Sequence, residues 1–223
     1  METLFDLLEL EAGERVIDFG TGKGELLLRL TERYGVKAIG IERSPYFLQE
    51  LTQRAERRGV AGALEVVDMD ATMYEVEGEK FSLAACMGAS EIFGGYKGTL
   101  GRLQGMVCSG GYVLVGEGYW KREPDPAYLK AFGATRDEFL SHADNVAAGT
   151  SLKLIPLYAA VCSDDDWDHY EWLHSSAIER YARKQPDDPD VPALLERIRG
   201  WRELYLRWGR DTLGFAIYLF QRP

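Results

Sequence analysis

The stretch Arg15-Val16-Ile17-Asp18-Phe19-Gly20-Thr21-Gly22-Lys23-Gly24-Glu25-Leu26 decides how this chain is read. Two β-branched residues, Val16 and Ile17, lead into an acid, Asp18, placed two positions before the first of three alternating glycines. The pattern is that of a buried strand, a tight turn and the opening of a helix. Glycines at such a turn tolerate positive φ and let a ligand approach bare backbone. The helix that begins near Gly22 aims its free N–H groups and positive dipole end at whatever sits there. The motif predicts a site for a nucleotide-like ligand.

Outward from it, strands and helices alternate. A short amphipathic helix is expected over 3–10 and the first strand over Arg15–Phe19, followed by a helix over Glu25–Tyr34 that Gly35 ends. Lys37–Ile41 reads as the second strand. Ser44 caps and Pro45 starts the next helix, which runs to Gly59. Further strands are expected at Leu64–Val67, Phe81–Cys86 and Tyr112–Gly116, with a helix near Thr99–Val107 and a turn at Gly110-Gly111. This alternation argues for right-handed crossovers and a parallel sheet, whose ligands bind beyond the carboxyl ends of the strands.

After Glu117 the character changes, and all five tryptophans lie from Trp120 onward. Helices are expected over Asp125–Phe132, Asp137–Ala147, Asp164–Lys184 and Val191–Arg210, and strands over Leu152–Val161 and Leu213–Phe220. Asp164–Arg210 reads as a helical hairpin inserted between the last two strands.

The net charge of −10 disfavours a nucleic-acid partner, which usually needs a basic footprint. Cys86, Cys108 and Cys162 are widely spaced with no CxxC, so neither a zinc site nor a disulfide framework is expected. The stretch from Met1 to Asp6 lacks a basic n-region and a long apolar run, and no segment approaches the length of a membrane span. A cytoplasmic protein is the expectation, and a homo-oligomer is compatible with it.

Acids stand at the ends of three successive strands: Asp18, Glu42 and Asp70. A carboxylate just past the second strand can accept both hydroxyls of a ribose, a device that NAD enzymes also use. Glu42 alone therefore does not discriminate. The glycines do, because the NAD fingerprint is G-x-G-x-x-G, whereas Gly20, Gly22 and Gly24 alternate and Glu25 stands where the third NAD glycine would be. A carboxylate there would oppose a pyrophosphate.

Asp18-Phe19-Gly20-Thr21-Gly22-Lys23-Gly24 resembles the first motif of the class I S-adenosylmethionine-dependent methyltransferases. Gly40-Ile41-Glu42, Val67-Asp68-Met69-Asp70-Ala71 and Ala85-Cys86-Met87-Gly88-Ala89 fall where that family places its further motifs. Met87–Ser90, Phe93-Gly94-Gly95 and Gly116–Trp120 are similar to a branch of bacterial small-molecule methyltransferases of largely undefined substrate. The resemblance implies a Rossmann-like, doubly wound α/β fold with a seven-stranded sheet, mostly parallel, the last strand antiparallel, and a helical insertion near the C-terminus. It implies a single methyltransferase domain over 1–223, with 1–120 as the cofactor-binding half and 164–210 as a substrate cover. Ser82 departs from it, since the family often has an acid at that point.

By the same resemblance Asp18 would lie under the methionine amino group, Gly20, Thr21, Gly22 and Gly24 would face the methionine moiety, and Glu42 would hold the ribose. Asp70 would bond the adenine amino group with Met69 and Ala71 beside the ring, and Met87 would join the cofactor site. The expected function is methyl transfer from S-adenosyl-L-methionine, leaving S-adenosyl-L-homocysteine, to a small-molecule acceptor by in-line displacement. The alternatives are an NAD-dependent oxidoreductase or a non-catalytic S-adenosylmethionine-binding protein.

No catalytic residue is firmly indicated. Glu117 and Ser90 are candidates for a base, and Ser90, Glu91, Tyr119 and Trp120 for contact with the acceptor. Each has a structural reading too: a cap or loop contact for Ser90, Glu91 and Glu117, and an amphipathic plug at a strand end for Tyr119 and Trp120. His142, His169 and His174 share no metal spacing, so no metal is expected. Asp164-Asp165-Asp166 after Ser163 reads as a capped first turn. The stripe of Ile198, Trp201, Tyr205 and Trp208 reads as core packing.

Overall fold

The parallel alternation read from the sequence becomes one seven-stranded sheet in the computed structural model, which describes residues 2–76 and 80–223. Its strands are β1 (Arg15–Phe19), β2 (Lys37–Glu42), β3 (Leu64–Asp68), β4 (Phe81–Met87), β5 (Val107–Trp120), β6 (Ile155–Val161) and β7 (Leu213–Gln221), in the order β3-β2-β1-β4-β5-β7-β6. The pairs β1–β2, β1–β4, β2–β3 and β4–β5 are parallel. The last strand is antiparallel to β5. Gly110 N–H donates to the Arg222 carbonyl at one end of that pairing (2.8 Å) and Lys121 N–H to the Thr212 carbonyl at the other (2.8 Å).

The helices are α1 (Glu2–Phe5), α2 (Glu25–Tyr34), α3 (Pro45–Arg57), α4 (Tyr96–Met106), α5 (Pro126–Phe132), α6 (His142–Ser151), α7 (Asp164–Lys184) and α8 (Val191–Leu204). None of the described helices is long and apolar enough to cross a membrane. The chain divides into two compact units, one of Met1–Glu117, Asn145–Ala160 and Ile217–Pro223, the other of Gly118–Asp144 and Val161–Ala216.

In the first unit side chains alternate between the two faces of the sheet. Val16, Ala38, Leu83, Leu114 and Leu219 face α1 and α2 and form the larger core cluster with Leu4, Phe5, Leu27 and Leu30. Residues of the opposite parity meet α4 and α6: Tyr218 packs 5.6 Å from the Tyr96 ring and accepts a hydrogen bond from Asn145 (3.1 Å). Helices on both faces force the central strands to be apolar throughout, and β1 is buried over its last four residues. Ser82 donates to Glu14 (2.9 Å), a contact between β4 and the residue before β1.

The second unit has an aromatic core of Trp120, Tyr128 and Leu213, with Phe132, Phe139 and Trp208 against it. Ser163 and Asp166 close a reciprocal cap on α7, so the acidic run serves the helix start. Polar pairs join α7 to α8 and the turns after it: Arg210 forks onto Asp168 (3.0 Å), Tyr205 donates to Asp168 (2.6 Å), and Arg199 forks onto Glu179 (3.0 Å).

Several element boundaries differ from the expectations. The N-terminal helix is a single turn, because the backbone beyond it extends and Glu9 N–H donates to the Tyr112 hydroxyl. Leu8 and Leu10 are buried all the same. The helix expected from Asp137 begins at His142: Trp120 N–H holds the Leu140 carbonyl (2.9 Å) and Ser141 caps Asp144 N–H (3.1 Å). Leu152–Leu154 curl back onto the Gly149 and Thr150 carbonyls, with Lys153 at φ 63°, so β6 starts only at Ile155. The fourth helix of the first unit starts at Tyr96 rather than Thr99, and α8 ends at Leu204 in a π-turn, Tyr205–Gly209. The fifth strand starts at Val107, not Tyr112, and runs through Gly110-Gly111 as a bulge, where its register with β4 shifts.

Two glycines in helices separate backbone propensity from packing. A Cβ on Gly149 of α6 would lie 2.2 Å from Cε1 of the buried Phe220 ring, whereas one on Gly101 of α4 meets nothing. Alanine gains about 1 kcal/mol of helix propensity at either position, and overpacking a core costs about 1–3 kcal/mol. Gly149→Ala is therefore expected to lower stability and Gly101→Ala to raise it by up to about 1 kcal/mol. Urea denaturation checks both signs; a stabilised Gly149→Ala would contradict the close packing on Phe220.

Candidate functional site

The glycine turn is held by the end of the neighbouring strand. Gly20 and Thr21 N–H both donate to the Ile41 carbonyl (2.9 and 3.1 Å), and Gly22 N–H donates to Glu42 Oε2 (2.9 Å). Glu42 Oε1 accepts from Arg43 and Ser44 N–H (both 2.8 Å), just before Ser44 and Pro45 open α3. Gly24, at φ 72°, stands at the start of α2 with no side-chain cap.

Two pockets of the first unit meet at this turn and share Gly20. One, of about 250 Å3, has Asp18, Thr21, Gly24 and Met87 in its wall. The other, of about 520 Å3, has Gly22, Glu42, Met69, Asp70 and Ala71. All ten residues expected to bind the cofactor thus line one pocket or the other. Gly22, at φ 54°, has open space where a Cβ would project. The larger volume is within the usual range for small-molecule pockets.

Asp18 is 2% exposed, and its Oδ1 has no hydrogen-bond partner in the protein. Burial pushes its carboxyl up to about 7; the Thr21 hydroxyl beside it opposes that rise and the Glu42 carboxylate adds to it. Gly40 makes room for Thr21, since a Cβ there would lie 2.9 Å from Thr21 Cγ2. Asp70 caps the turn Ala71–Met73 through the Thr72 hydroxyl (2.7 Å) and N–H (2.9 Å), and Arg43 lies 3.5 Å from its other oxygen. The Thr72 hydroxyl, Thr72 N–H and then Arg43 hold that carboxylate below its ordinary range.

The catalytic and acceptor candidates are more dispersed. Glu91 is exposed and lines the larger pocket. Ser90 is half-buried, outside both walls, and its carbonyl accepts from the Thr99 hydroxyl (3.1 Å) and Gly95 N–H (2.9 Å). Glu117 is buried at the end of β5's share of the first unit. Trp120 is buried in the second unit with its indole N–H on the Arg136 carbonyl (2.8 Å). Tyr119 packs on Gly214 and on the His142 ring at 5.4 Å. Among the described residues no His, Cys, Asp or Glu cluster could hold a metal.

The sequence reading missed Phe5, Lys23 and Arg29 in the smaller pocket and Arg43, Phe47, Ala89 and Ile92 in the larger. The available signal for Arg29 was its spacing, three residues after Leu26 on the helix that the glycine turn begins. Phe5 carried no signal beyond an apolar face.

The family model described as a methyltransferase domain matches residues 16–111. An S-adenosylmethionine-dependent methyltransferase of Geobacter sulfurreducens, solved with S-adenosyl-L-homocysteine, is 30% identical with a TM-score of 0.92, and the match covers 100% of this chain and 90% of that one. Its counterpart from Thiobacillus denitrificans, also solved with S-adenosyl-L-homocysteine, is 33% identical with a TM-score of 0.91 over 100% and 90% of the two chains. YjhP of Escherichia coli is 29% identical over 218 residues, 97% of this chain and 88% of that protein.

The chain belongs to the S-adenosylmethionine-dependent methyltransferases, with the class I fold. It is a methyl-transfer enzyme and S-adenosylmethionine is its donor. The residues present fit that donor. Asp18 Oδ1 offers an orphaned buried carboxylate oxygen to an ammonium, Gly22 leaves its space clear, and Glu42 keeps acceptor capacity beside the larger pocket.

The raised Asp18 carboxyl has a stability consequence. Between the unfolded value near 3.8 and the folded value near 7 the native state binds the extra proton, so this residue lowers stability as pH rises through that window. The limit is on the order of 4 kcal/mol, at about 1.36 kcal/mol per pH unit. Asp18→Asn is expected to match the wild type in urea denaturation at pH 4 and to exceed it at pH 8. An equal difference at both pH values would contradict the burial of an uncompensated carboxyl.

Proposed function

We propose that this methyltransferase acts on a small-molecule acceptor, and that the two pockets sharing Gly20 hold the two ends of the donor. The observation that carries the placement is that Asp18, Gly20, Thr21, Gly24 and Met87 line one pocket while Gly22, Glu42, Met69, Asp70 and Ala71 line the other. Asp18 receives the amino group of the methionine end. Glu42, already fixed by three backbone N–H groups, receives a ribose hydroxyl with the lone pair left on Oε2. Asp70 faces the adenine amino group, with Met69 and Ala71 as apolar walls.

S-adenosylmethionine supplies a methyl group already activated on a sulfonium. The protein's contribution is then alignment and exclusion of water rather than bond activation. Glu42 fixes Gly22, the turn fixes the start of α2, and buried Asp18 sets one end of the donor. Ser90, Glu91 and Glu117 remain the candidates to hold or deprotonate the acceptor. Residues 164–210, beyond the matched residues 16–111, are the segment we assign to acceptor selection. The acidic charge of the chain favours a small acceptor over a nucleic acid.

Calorimetry with S-adenosylmethionine and S-adenosylhomocysteine tests the placement. Glu42→Ala and Gly22→Val are expected to weaken binding at least tenfold, and wild-type binding that both variants retain would sink it. Only the ionised Asp18 carboxylate pairs with an ammonium. Affinity is therefore expected to fall about tenfold per pH unit below about 7 and to level off above it, a profile that Asp18→Asn abolishes. Turnover across a panel of thiols, amines, hydroxyls and carboxylates tests the acceptor class; donor binding with no turnover on any of them would count against a small-molecule acceptor.

A further inference from the structure

We propose that Arg29 receives the carboxylate of the donor's amino-acid end, so that Asp18 and Arg29 together read that end as a zwitterion. The proposal rests on the donor placement above.

The smaller pocket has four charged side chains in its wall: Asp18, Lys23, Glu25 and Arg29. Two of them are committed to pairs with α3 and the residue after it. Lys23 lies 2.8 Å from Glu50, and Glu25 is held by Arg54 (2.5 Å) and Arg58 (3.1 Å). Asp18 and Arg29 stand differently. Asp18 is buried with an orphaned oxygen. Arg29 stands in the second turn of α2, three residues after Leu26, so the two share a helix face, and both line the pocket.

The Arg29 guanidinium sits 5.1 Å above the Phe5 ring and pairs with Glu2, whose side chain is 66% exposed. Exposed ion pairs are weak, and this partner belongs to the single turn α1. The guanidinium can therefore exchange Glu2 for a carboxylate in the pocket at little cost. Its planar fork matches a carboxylate in two-point geometry, which an ammonium does not.

An α-amino acid carries an ammonium and a carboxylate on one carbon, and one acid with an orphaned oxygen, Asp18, and one arginine, Arg29, both line this pocket. The nucleoside end of the donor carries neither charge, so the pair has no use there. Arg29 thereby becomes a specificity residue: it separates donors that bear the amino acid from thioether nucleosides that lack it.

The test is calorimetry of wild type, Arg29→Ala, Arg29→Lys and Glu2→Gln with two ligands, S-adenosylhomocysteine and 5′-methylthioadenosine. The second keeps the nucleoside and thioether but lacks the amino acid. Arg29→Ala is expected to weaken S-adenosylhomocysteine binding by about 10- to 100-fold (about 1.4–2.7 kcal/mol) and to leave 5′-methylthioadenosine within about twofold. Arg29→Lys should fall between. Glu2→Gln removes the competing carboxylate and should leave S-adenosylhomocysteine binding unchanged or tighter. If Arg29 merely clamps α1, Glu2→Gln weakens binding as Arg29→Ala does, and the proposal fails. It also fails if Arg29→Ala weakens both ligands equally, or neither. A wild type that binds neither ligand overturns the donor placement itself, a result distinct from a wild type that binds S-adenosylhomocysteine and is indifferent to Arg29.

Discussion

The Glu42 carboxylate is the interaction on which the donor-side structure depends. One side chain gathers N–H groups from Gly22, Arg43 and Ser44, tying the glycine turn after β1 to the entry of α3 after β2. Charge-assisted bonds to backbone are among the stronger polar contacts. The turn needs such an anchor because three of its residues hold left-handed φ values of 54–72°, a conformation that glycine adopts without strain but does not by itself prefer. Both pockets share the wall at Gly20. Movement of the turn would therefore reshape both pockets together.

The three glycines serve different purposes. A Cβ on Gly24 would lie 2.0 Å from Leu51, and one on Gly20 would lie 2.9 Å from the Ala89 Cβ, so those two let neighbouring elements close on the turn. Gly22 meets nothing within 4 Å, so its missing side chain leaves the wall of the larger pocket open and eases the left-handed turn rather than making room for a neighbour. The spacing alone does not separate these roles.

What the sequence reveals divides by the range of the interactions involved. Strand alternation, the acids at strand ends and the Ser44-Pro45 helix start are local patterns, and the fold follows from them; the ten positions that the family resemblance implies for the donor line the two pockets sharing Gly20. Phe5 enters the smaller pocket beside Arg29, 24 residues away, a contact for which one sequence carries no local sign at Phe5. Trp120 illustrates the opposite difficulty. Its position at the end of β5 suits an acceptor-facing aromatic equally well as a core residue. Its indole N–H is taken by Arg136 and its edge by Tyr128 and Phe139, all distant in sequence. The boundary errors arise the same way: His142 rather than Asp137 starts α6 because the Leu140 carbonyl is captured by Trp120 N–H.

The second unit explains why the acceptor is hard to read from composition. Its buried aromatics are engaged in its own cohesion, as with Tyr128 stacked on Phe132 and Trp208, and Arg199, Arg202 and Arg210 close onto Glu179 and Asp168. Residues that would advertise a substrate in isolation are thus already accounted for by packing. Asp18 behaves in the reverse manner. Nothing in the protein's own cohesion accounts for a carboxyl 2% exposed with an oxygen lacking any partner. An unsatisfied buried acid opposes folding, and the Thr21 hydroxyl offsets only part of that cost. That contrast, between Trp120 and Tyr128 held within the aromatic core and an acid with an oxygen left over, is why the donor side of this enzyme can be argued from its structure further than the acceptor side.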